Sequence, residues 1–243
     1  MKVWILLPAY NEARNLPFLL EDLGEVLGSI GVQYRVLVVD DGSLDGTRES
    51  ATTFATRLPV ELVVHDRNLG LARAIETGLR TLVRRVEPED VVVTMDADNS
   101  HPPNLIPQML AVLGHGADVV IASRYSPGGA ESGVPFLRRV LSAGIALLLR
   151  LRFGMAGVRD YTSGYRAYRA ALLQGAAARY GDRLVETRGF AVMSEVLVKL
   201  RPLQPLVVEV PLRLRYDRKL GTSKMRLAHT IRDYLSLLYS RPA

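Results

Sequence analysis

Up to about residue 122 the chain alternates between short, continuous apolar runs and longer stretches with apolar residues at every third or fourth position. Val3–Leu7 is one such run, stopped by Pro8, and Arg35–Val39, Val60–Val64, Val91–Met95 and Asp118–Ala122 repeat the pattern. Apolar runs without polar alternation predict strands buried on both faces, the habit of parallel sheets. Between them, residues 15–30 carry apolar side chains at 16, 19, 20, 23, 26, 27 and 30, which is helical spacing. A further helical pattern precedes residue 60, another covers about 69–85, and Pro102-Pro103 opens one more, since proline is tolerated in a first turn. Strand–helix alternation predicts an α/β fold with a mostly parallel central sheet and helices on both faces. Ligands of such sheets bind beyond the carboxyl ends of the strands.

After residue 123 the pattern changes. Ser126-Pro127-Gly128-Gly129 reads as a loop, followed by an amphipathic stretch over 135–152. A last helix over 224–239 has apolar residues at 227, 228, 231, 234, 235, 238 and 239. With no repeat and no low-complexity linker, the 243 residues are expected to form one domain, able to bury a substantial core. The most hydrophobic later stretch, Val140–Leu149, is closed by Arg150 and Arg152 and falls short of the roughly 18 residues of a spanning helix. No transmembrane segment and no secretory signal are expected.

Charge adds an asymmetry. Residues 1–121 carry 10 basic and 17 acidic side chains, whereas residues 122–243 carry 21 and 8. An acidic first half points to a cation site and a basic second half to anion handling. The absence of cysteine excludes disulfides, thiolate metal sites and a cysteine nucleophile. With four histidines and no cysteine, catalytic zinc is not supported either.

The acidic pairs fall at strand ends. Asp96-Ala97-Asp98 follows an apolar strand, and two carboxylates so spaced can share a hard divalent cation with phosphate oxygens. Asp40-Asp41-Gly42-Ser43 ends another strand, where a carboxylate can accept from a base or ribose and the same residues also suit a turn. Pro8-Ala9-Tyr10-Asn11-Glu12 sets a ring, an amide and a carboxylate at the same sheet edge. The glycine fingerprints of dinucleotide-binding and P-loop proteins and the nucleophile elbow of α/β-hydrolases are missing.

Together with Asn68-Leu69-Gly70-Leu71, Ser100-His101-Pro102, Ser123-Arg124-Tyr125, Asp160 with Ser163-Gly164-Tyr165-Arg166, and Arg218 through Gly221, Ser223 and Lys224, these blocks resemble the family 2 glycosyltransferases of GT-A fold. Within that family they are most similar to the dolichyl- or polyprenyl-phosphate mannosyltransferase branch, over nearly the whole chain. The resemblance implies that Pro8, Tyr10, Glu12, Val39 and Asp41, with Asp40 adjacent, surround the nucleoside. It implies that Asp96, Ala97 and Asp98 meet the donor diphosphate, with Asp96 and Asp98 holding Mg²⁺ or Mn²⁺. Some members carry Gln where this chain has Ser100, which leaves the third metal ligand open. Arg218 and Lys224 are implied to close over the donor phosphates, and Arg124 with Arg138 or Arg139 to clamp an acceptor phosphate. Residues 1–123 then form the nucleotide-sugar and metal half, and 124–243 the acceptor half.

The implied reaction is inverting transfer of mannose from GDP-mannose to a polyprenyl monophosphate. A phosphate monoester, with a second pKa of about 6, is already a nucleophile and needs no strong base. UDP-glucose is the nearest rival donor. Transfer to a hydroxyl would need a base, for which Glu186 and Glu195 are the candidates. A non-catalytic nucleotide-sugar-binding subunit is disfavoured by the retention of both Asp96 and Asp98. The single tryptophan, Trp4, lies in the first strand, so the Gln-x-x-Arg-Trp motif of many processive synthases is absent, which fits single transfer. The expected location is the cytoplasmic face of a membrane, held peripherally through 135–152 and the basic C-terminal region or through a small membrane-spanning partner subunit. No nucleic-acid partner is expected.

Overall fold

The apolar runs become the middle of one sheet. A computed structural model describes residues 1–220 and 227–239. β1 (Val3–Ala9) leads into α1 (Leu16–Ser29), β2 (Tyr34–Asp40) into α2 (Thr47–Ala55), and β3 (Val60–Val64) into α3 (Leu71–Val83). β4 (Val91–Thr94) is followed by α4 (Ile106–Gly114) and β5 (Val119–Ser123). Then come β6 (Ala130–Ser132), α5 (Phe136–Phe153), β7 (Arg166–Arg169), α6 (Ala170–Tyr180) and α7 (Val192–Leu200). The chain closes with β8 (Val207–Pro211), β9 (Arg213–Arg215) and α8 (Leu227–Tyr239).

Among the described residues the main sheet has the order β3-β2-β1-β4-β7-β5-β8. Its pairs are parallel except those of β7, which runs antiparallel between β4 and β5. Strands from both halves of the sequence therefore share one sheet. Side-chain alternation divides β1 between two cores: Trp4 and Leu6 pack with α3, α6 and α7, and Val3, Ile5 and Leu7 with α1, α2 and α4. A continuous apolar run is thus what a strand covered on both faces requires. α5 and α8 lie on the first of these faces, through Leu149, Phe153, Tyr234 and Leu237.

β7 escaped the hydrophobic pattern because arginines stand at two of its four positions. Arg166 is fully buried, and its guanidinium donates to the carbonyls of Tyr161 and Met193. β6 and β9 pair separately as a small parallel flap. The flap is tied to the main body where Arg215 N–H donates to the Ser100 carbonyl.

The strand ends turn sharply at residues suited to left-handed backbone. Asn11 (φ 52°) follows β1, Gly42 (φ 67°) follows β2, and Asn99 (φ 64°) follows β4. Asparagine and glycine are the residues that enter this region most readily. Gly42 has a second constraint, since a Cβ there would stand 2.3 Å from the Arg67 carbonyl carbon. Gly42→Ala is expected to destabilise the protein by about 1–3 kcal/mol, read as a lower urea midpoint at constant m-value. An unchanged midpoint would show that the 41–43 turn has room to relax.

Candidate active site

A cleft of about 1110 Å³ opens beyond the carboxyl ends of β1, β2 and β4. Its walls come from both halves of the chain, with Pro8, Tyr10, Glu12 and Asp41 from the first and Arg124, Arg138, Met193 and Lys219 from the second.

At one end, the loops after β1 and β2 are laced together. Asn11 N–H donates to Ser43 Oγ, and the Asn11 side-chain oxygen accepts from Leu44 N–H. Glu12 N–H donates to Thr47 Oγ1. Asp41 is a scaffold as well as a wall: its oxygens accept from Leu69 N–H at 2.9 Å and Gly70 N–H at 2.8 Å. His65 Nδ1 lies 2.7 Å from the same carboxylate, and Nε2 lies 2.9 Å from Thr77 Oγ1. Asp41 thereby fixes the turn that opens α3, which explains physically why Asn68-Leu69-Gly70 accompanies it. Asp40 and Val39 stand differently. Both are fully buried and neither lines the cleft; Asp40 Oδ1 accepts from Ser43 N–H as a turn cap, and Val39 packs in the core.

The two carboxylates after β4 meet at the cleft floor. Asp96 is open to water over 48% of its side chain, yet the cleft walls enclose it. That loss of bulk solvent raises its pKa above the ordinary carboxylate value; His101 opposes the rise, and the negative charge of Asp98 adds to it. Asp98 is buried. Burial opposes its ionisation, but the Lys219 ammonium at 2.6 Å and the Ser100 hydroxyl at 2.5 Å hold its pKa below the ordinary value. His101 accepts Asp96 N–H at Nδ1 and stacks on Tyr165, so a neutral ring carries its proton on Nε2 and offers no lone pair there.

Among the described residues no group of three or more His, Asp or Glu side chains could hold a metal ion. The two carboxylates do fit a hard divalent cation that takes its other oxygens from a diphosphate and water, a common arrangement for Mg²⁺. Ser100 lines the cleft but spends both its N–H and its hydroxyl on Asp98 Oδ1. Its placement serves to orient Asp98.

The arginines separate into two kinds. Arg124 lies in the cleft wall, but its guanidinium is already spent. It grips Asp160 in a fork at 2.8 and 2.7 Å, and also reaches Glu131, Ser142 and Thr162. Burial alone would lower the Arg124 pKa, but Asp160 beside it raises it; the same contact holds Asp160 low against its own burial. Arg138 lines the cleft and donates to Tyr216 Oη at 2.9 Å. Arg139 points elsewhere, 3.4 Å from Glu131 Oε2, with a largely exposed side chain and no part in the cleft wall. Of the adjacent pair, Arg138 lines the cleft and Arg139 does not. Arg218 is exposed and does not line the cleft, whereas its neighbour Lys219 does. Lys224 lies outside the described residues.

Glu186 and Glu195 are not placed as bases. Glu195 is buried, accepts from the backbone N–H groups of Glu186 and Thr187, and pairs with Lys199 at 2.9 Å. Neither glutamate lines the cleft. Sequence reading missed Arg188, Glu131 and Tyr216, which do, and Lys219 within the late basic block. For Arg188 and Lys219 the only sequence signal was the basic excess of the second half, and Glu131 and Tyr216 had none.

Removing Asp160 would leave the buried Arg124 charge with Glu131 alone, at 3.2 Å, so Asp160→Asn is expected to cost about 3 kcal/mol at pH 7.5 by chemical denaturation, the low end for breaking a buried pair. Asp160 is held below its unfolded value of about 3.9, so its contribution is complete at neutral pH and is lost as pH falls below about 4. The gap between wild type and variant should narrow there. A gap independent of pH would show that the pair does not carry the effect.

Comparison with known proteins agrees with this geometry. Residues 4–175 match the model of the family described as glycosyl transferase family 2. The chain is 36% identical over 226 residues to an undecaprenyl-phosphate mannosyltransferase of Micrococcus luteus, covering 93% of this chain and 88% of that protein. It is 36% identical over 223 residues to a polyprenol monophosphomannose synthase of Mycolicibacterium smegmatis, covering 91% and 80%. It is 33% identical over 240 residues to a dolichol-phosphate mannosyltransferase of Pyrococcus furiosus, covering 98% of this chain but 63% of that longer protein. Among solved structures, glucosyl-3-phosphoglycerate synthase from Mycobacterium tuberculosis, in complex with Mn²⁺, UDP and glucosyl-3-phosphoglycerate, superimposes with a TM-score of 0.67 at 20% identity. That match covers 98% of this chain and 77% of the synthase, and it shows a shared GT-A fold. The strand-end carboxylates, the mostly parallel sheet and the match over most of the chain place this protein in glycosyl transferase family 2.

Proposed function

We propose that the protein transfers mannose from GDP-mannose to a polyprenyl monophosphate, inverting the anomeric carbon. The observation that carries this reading is the mixed lining of one cleft. Asp41, Asp96 and Asp98 share it with Arg138 and with the apolar side chains of Leu141, Ile145 and Ile231. Carboxylates, a cation and apolar side chains in one cleft suit a nucleotide sugar together with a phosphate that carries a hydrocarbon chain. The three relatives, whose names place mannose on dolichol, undecaprenol or polyprenol phosphate, support the same acceptor class.

In this reading Tyr10 and the Asp41 turn seat the nucleoside, and Asp96 and Asp98 face the diphosphate. A divalent cation bound there would neutralise the charge that develops on the leaving diphosphate. Arg138 orients the acceptor phosphate, whose ionised oxygen forms the new bond to C1 as the bond from C1 to the diphosphate breaks. The acceptor arrives already deprotonated near neutrality, so the cleft needs no base to generate the nucleophile. Placing Glu186 and Glu195 outside the cleft leaves the hydroxyl-acceptor alternative without the bases it called for.

The outer side of α5 supplies the approach to the lipid. Phe136, Leu137, Val140, Leu147, Leu148 and Leu151 are exposed, and at 100° per residue they fall on one face of the helix. Arg139 and Arg150 flank that face on one side and Arg152 on the other. An apolar stripe rimmed by arginines suits a helix lying in a membrane interface, with guanidiniums at headgroup level. No helix among the described residues is long and apolar enough to cross a membrane. The cytoplasmic face, where nucleotide sugars are available, is the proposed side.

With radiolabelled GDP-mannose, a short polyprenyl phosphate and Mg²⁺ or Mn²⁺, lipid-linked mannose is expected, with UDP-glucose run beside it as the rival donor. Asp98→Asn is expected to cut kcat by about 100-fold or more. Arg138→Ala should raise the acceptor KM by about tenfold or more, for the loss of a charge-assisted contact. No lipid product from either donor, even with membranes supplied, would sink the acceptor assignment. Vesicles of anionic phospholipid should co-sediment the protein, less so at high salt, with a basic residue near the surface worth about 1 kcal/mol. Binding that needs a membrane extract would put a spanning partner in place of direct contact.

A further inference from the structure

Lys219 reaches the cleft floor from the far end of the chain. Its ammonium lies 2.6 Å from Asp98 Oδ2, and both side chains are almost closed to water, at 12% and 11% exposure. The other oxygen of Asp98 is held by Ser100 through its N–H and its hydroxyl. Both Asp98 oxygens therefore have partners, while Asp96, two residues earlier, remains half open.

The ammonium is placed by a strap pinned on both sides. Before it, Arg215 N–H donates to the Ser100 carbonyl at 3.0 Å. After it, Leu220 exchanges two hydrogen bonds with the Asn15 side chain, N–H to Oδ1 at 2.9 Å and Nδ2 to the carbonyl at 3.0 Å. Asn15 in turn donates to Glu12 Oε2 at 2.6 Å. The strap packs without slack against the loop after β6, where a Cβ on Gly133 would stand 2.9 Å from Asp217 N. These contacts carry Lys219 across the cleft from the Asp98 loop to the first helix. The ion pair is thus fixed by backbone contacts on either side and is not the chance meeting of two surface chains.

A divalent cation binds a carboxylate oxygen at about 2.1–2.6 Å, so on Asp98 Oδ2 it would compete for the position of the ammonium. Two positive charges that close, in a site largely shut to water, repel strongly. We propose that Lys219 is the resident counter-charge of Asp98. It excludes a divalent cation from that carboxylate until a nucleoside diphosphate arrives, and it then passes to the diphosphate. The inference rests on the nucleotide-sugar donor proposed above, and it adds that cation and nucleotide enter as a coupled pair. The flexible four-carbon stem lets the ammonium move between neighbouring anions while its backbone stays pinned. Each ligand then tightens the other, since linkage is reciprocal.

The test is Mn²⁺ binding to the full chain, read from the free-ion electron paramagnetic resonance signal, with and without GDP or UDP. Wild type is expected to bind Mn²⁺ weakly alone and more tightly with nucleotide. Lys219→Met and Lys219→Gln should bind Mn²⁺ about tenfold or more tightly than wild type without nucleotide, and gain less when nucleotide is added. Lys219→Arg keeps the charge and should stay near wild type, which separates the charge from the strap's packing. Neutral variants that bind Mn²⁺ no better than wild type without nucleotide would overturn the inference. If wild type with nucleotide still binds Mn²⁺ and Asp98→Asn does not, that failure leaves the donor-site reading intact. If no protein binds Mn²⁺ even with nucleotide, the inference and the divalent-cation reading fall together.

Discussion

Compensation of buried carboxylates is the constraint on which the cleft depends. Asp41, Asp96, Asp98 and Glu131 line the cleft, Asp160 lies behind Arg124 in its wall, and burial opposes the ionisation of Asp96, Asp98 and Asp160. Three kinds of partner answer this constraint. Backbone N–H groups of the α3 turn serve Asp41, Lys219 and Ser100 serve Asp98, and Arg124 bridges Asp160 and Glu131. Asp96 alone keeps half its side chain open at the floor, which makes it the first position a cation could occupy.

The same constraint explains the order of parts along the chain. The first half places carboxylates at strand ends, and the second half folds back over them with basic residues. β7, inserted antiparallel between β4 and β5, brings Ser163 and Gly164 beside the Asp96 loop, where Thr94 Oγ1 donates to the Gly164 carbonyl at 2.8 Å. The β6–β9 flap and the strap beyond it then close one wall and deliver Lys219. Arg124 holds the fold together here, since its guanidinium joins the end of β5, β6 and the loop before β7.

The sequence made legible whatever depends on local periodicity. The five apolar runs became β1 to β5, and the stretch over 135–152 became α5 within a residue at each end. The last helix, expected over 224–239, is described over Leu227–Tyr239, and 224 lies outside the described residues. β7 and β8 were not legible. β7 buries an arginine, and β8 is interrupted by Glu209, whose carboxylate accepts from Arg159 and Asp160 N–H. Neither strand shows a continuous apolar run, because each carries a polar residue, Arg166 or Glu209, that hydrogen-bonds groups outside its own strand. The site followed the same rule. Strand-end carboxylates could be read in place, but whether an arginine is free or already paired depends on long-range contacts. Arg124 was therefore expected as a clamp although Asp160 and Glu131 hold it, and Arg218 was expected where Lys219 stands.

On this reading the cleft activates no acceptor and instead receives one that is already ionised. Comparing two acceptors of equal chain length, a polyprenyl monophosphate and the matching polyprenol, under saturating donor tests it most directly. Transfer to the phosphate with none to the alcohol is the expected result. Transfer to the alcohol at a comparable rate would contradict it, since that reaction needs a base that neither Glu186 nor Glu195 is placed to supply.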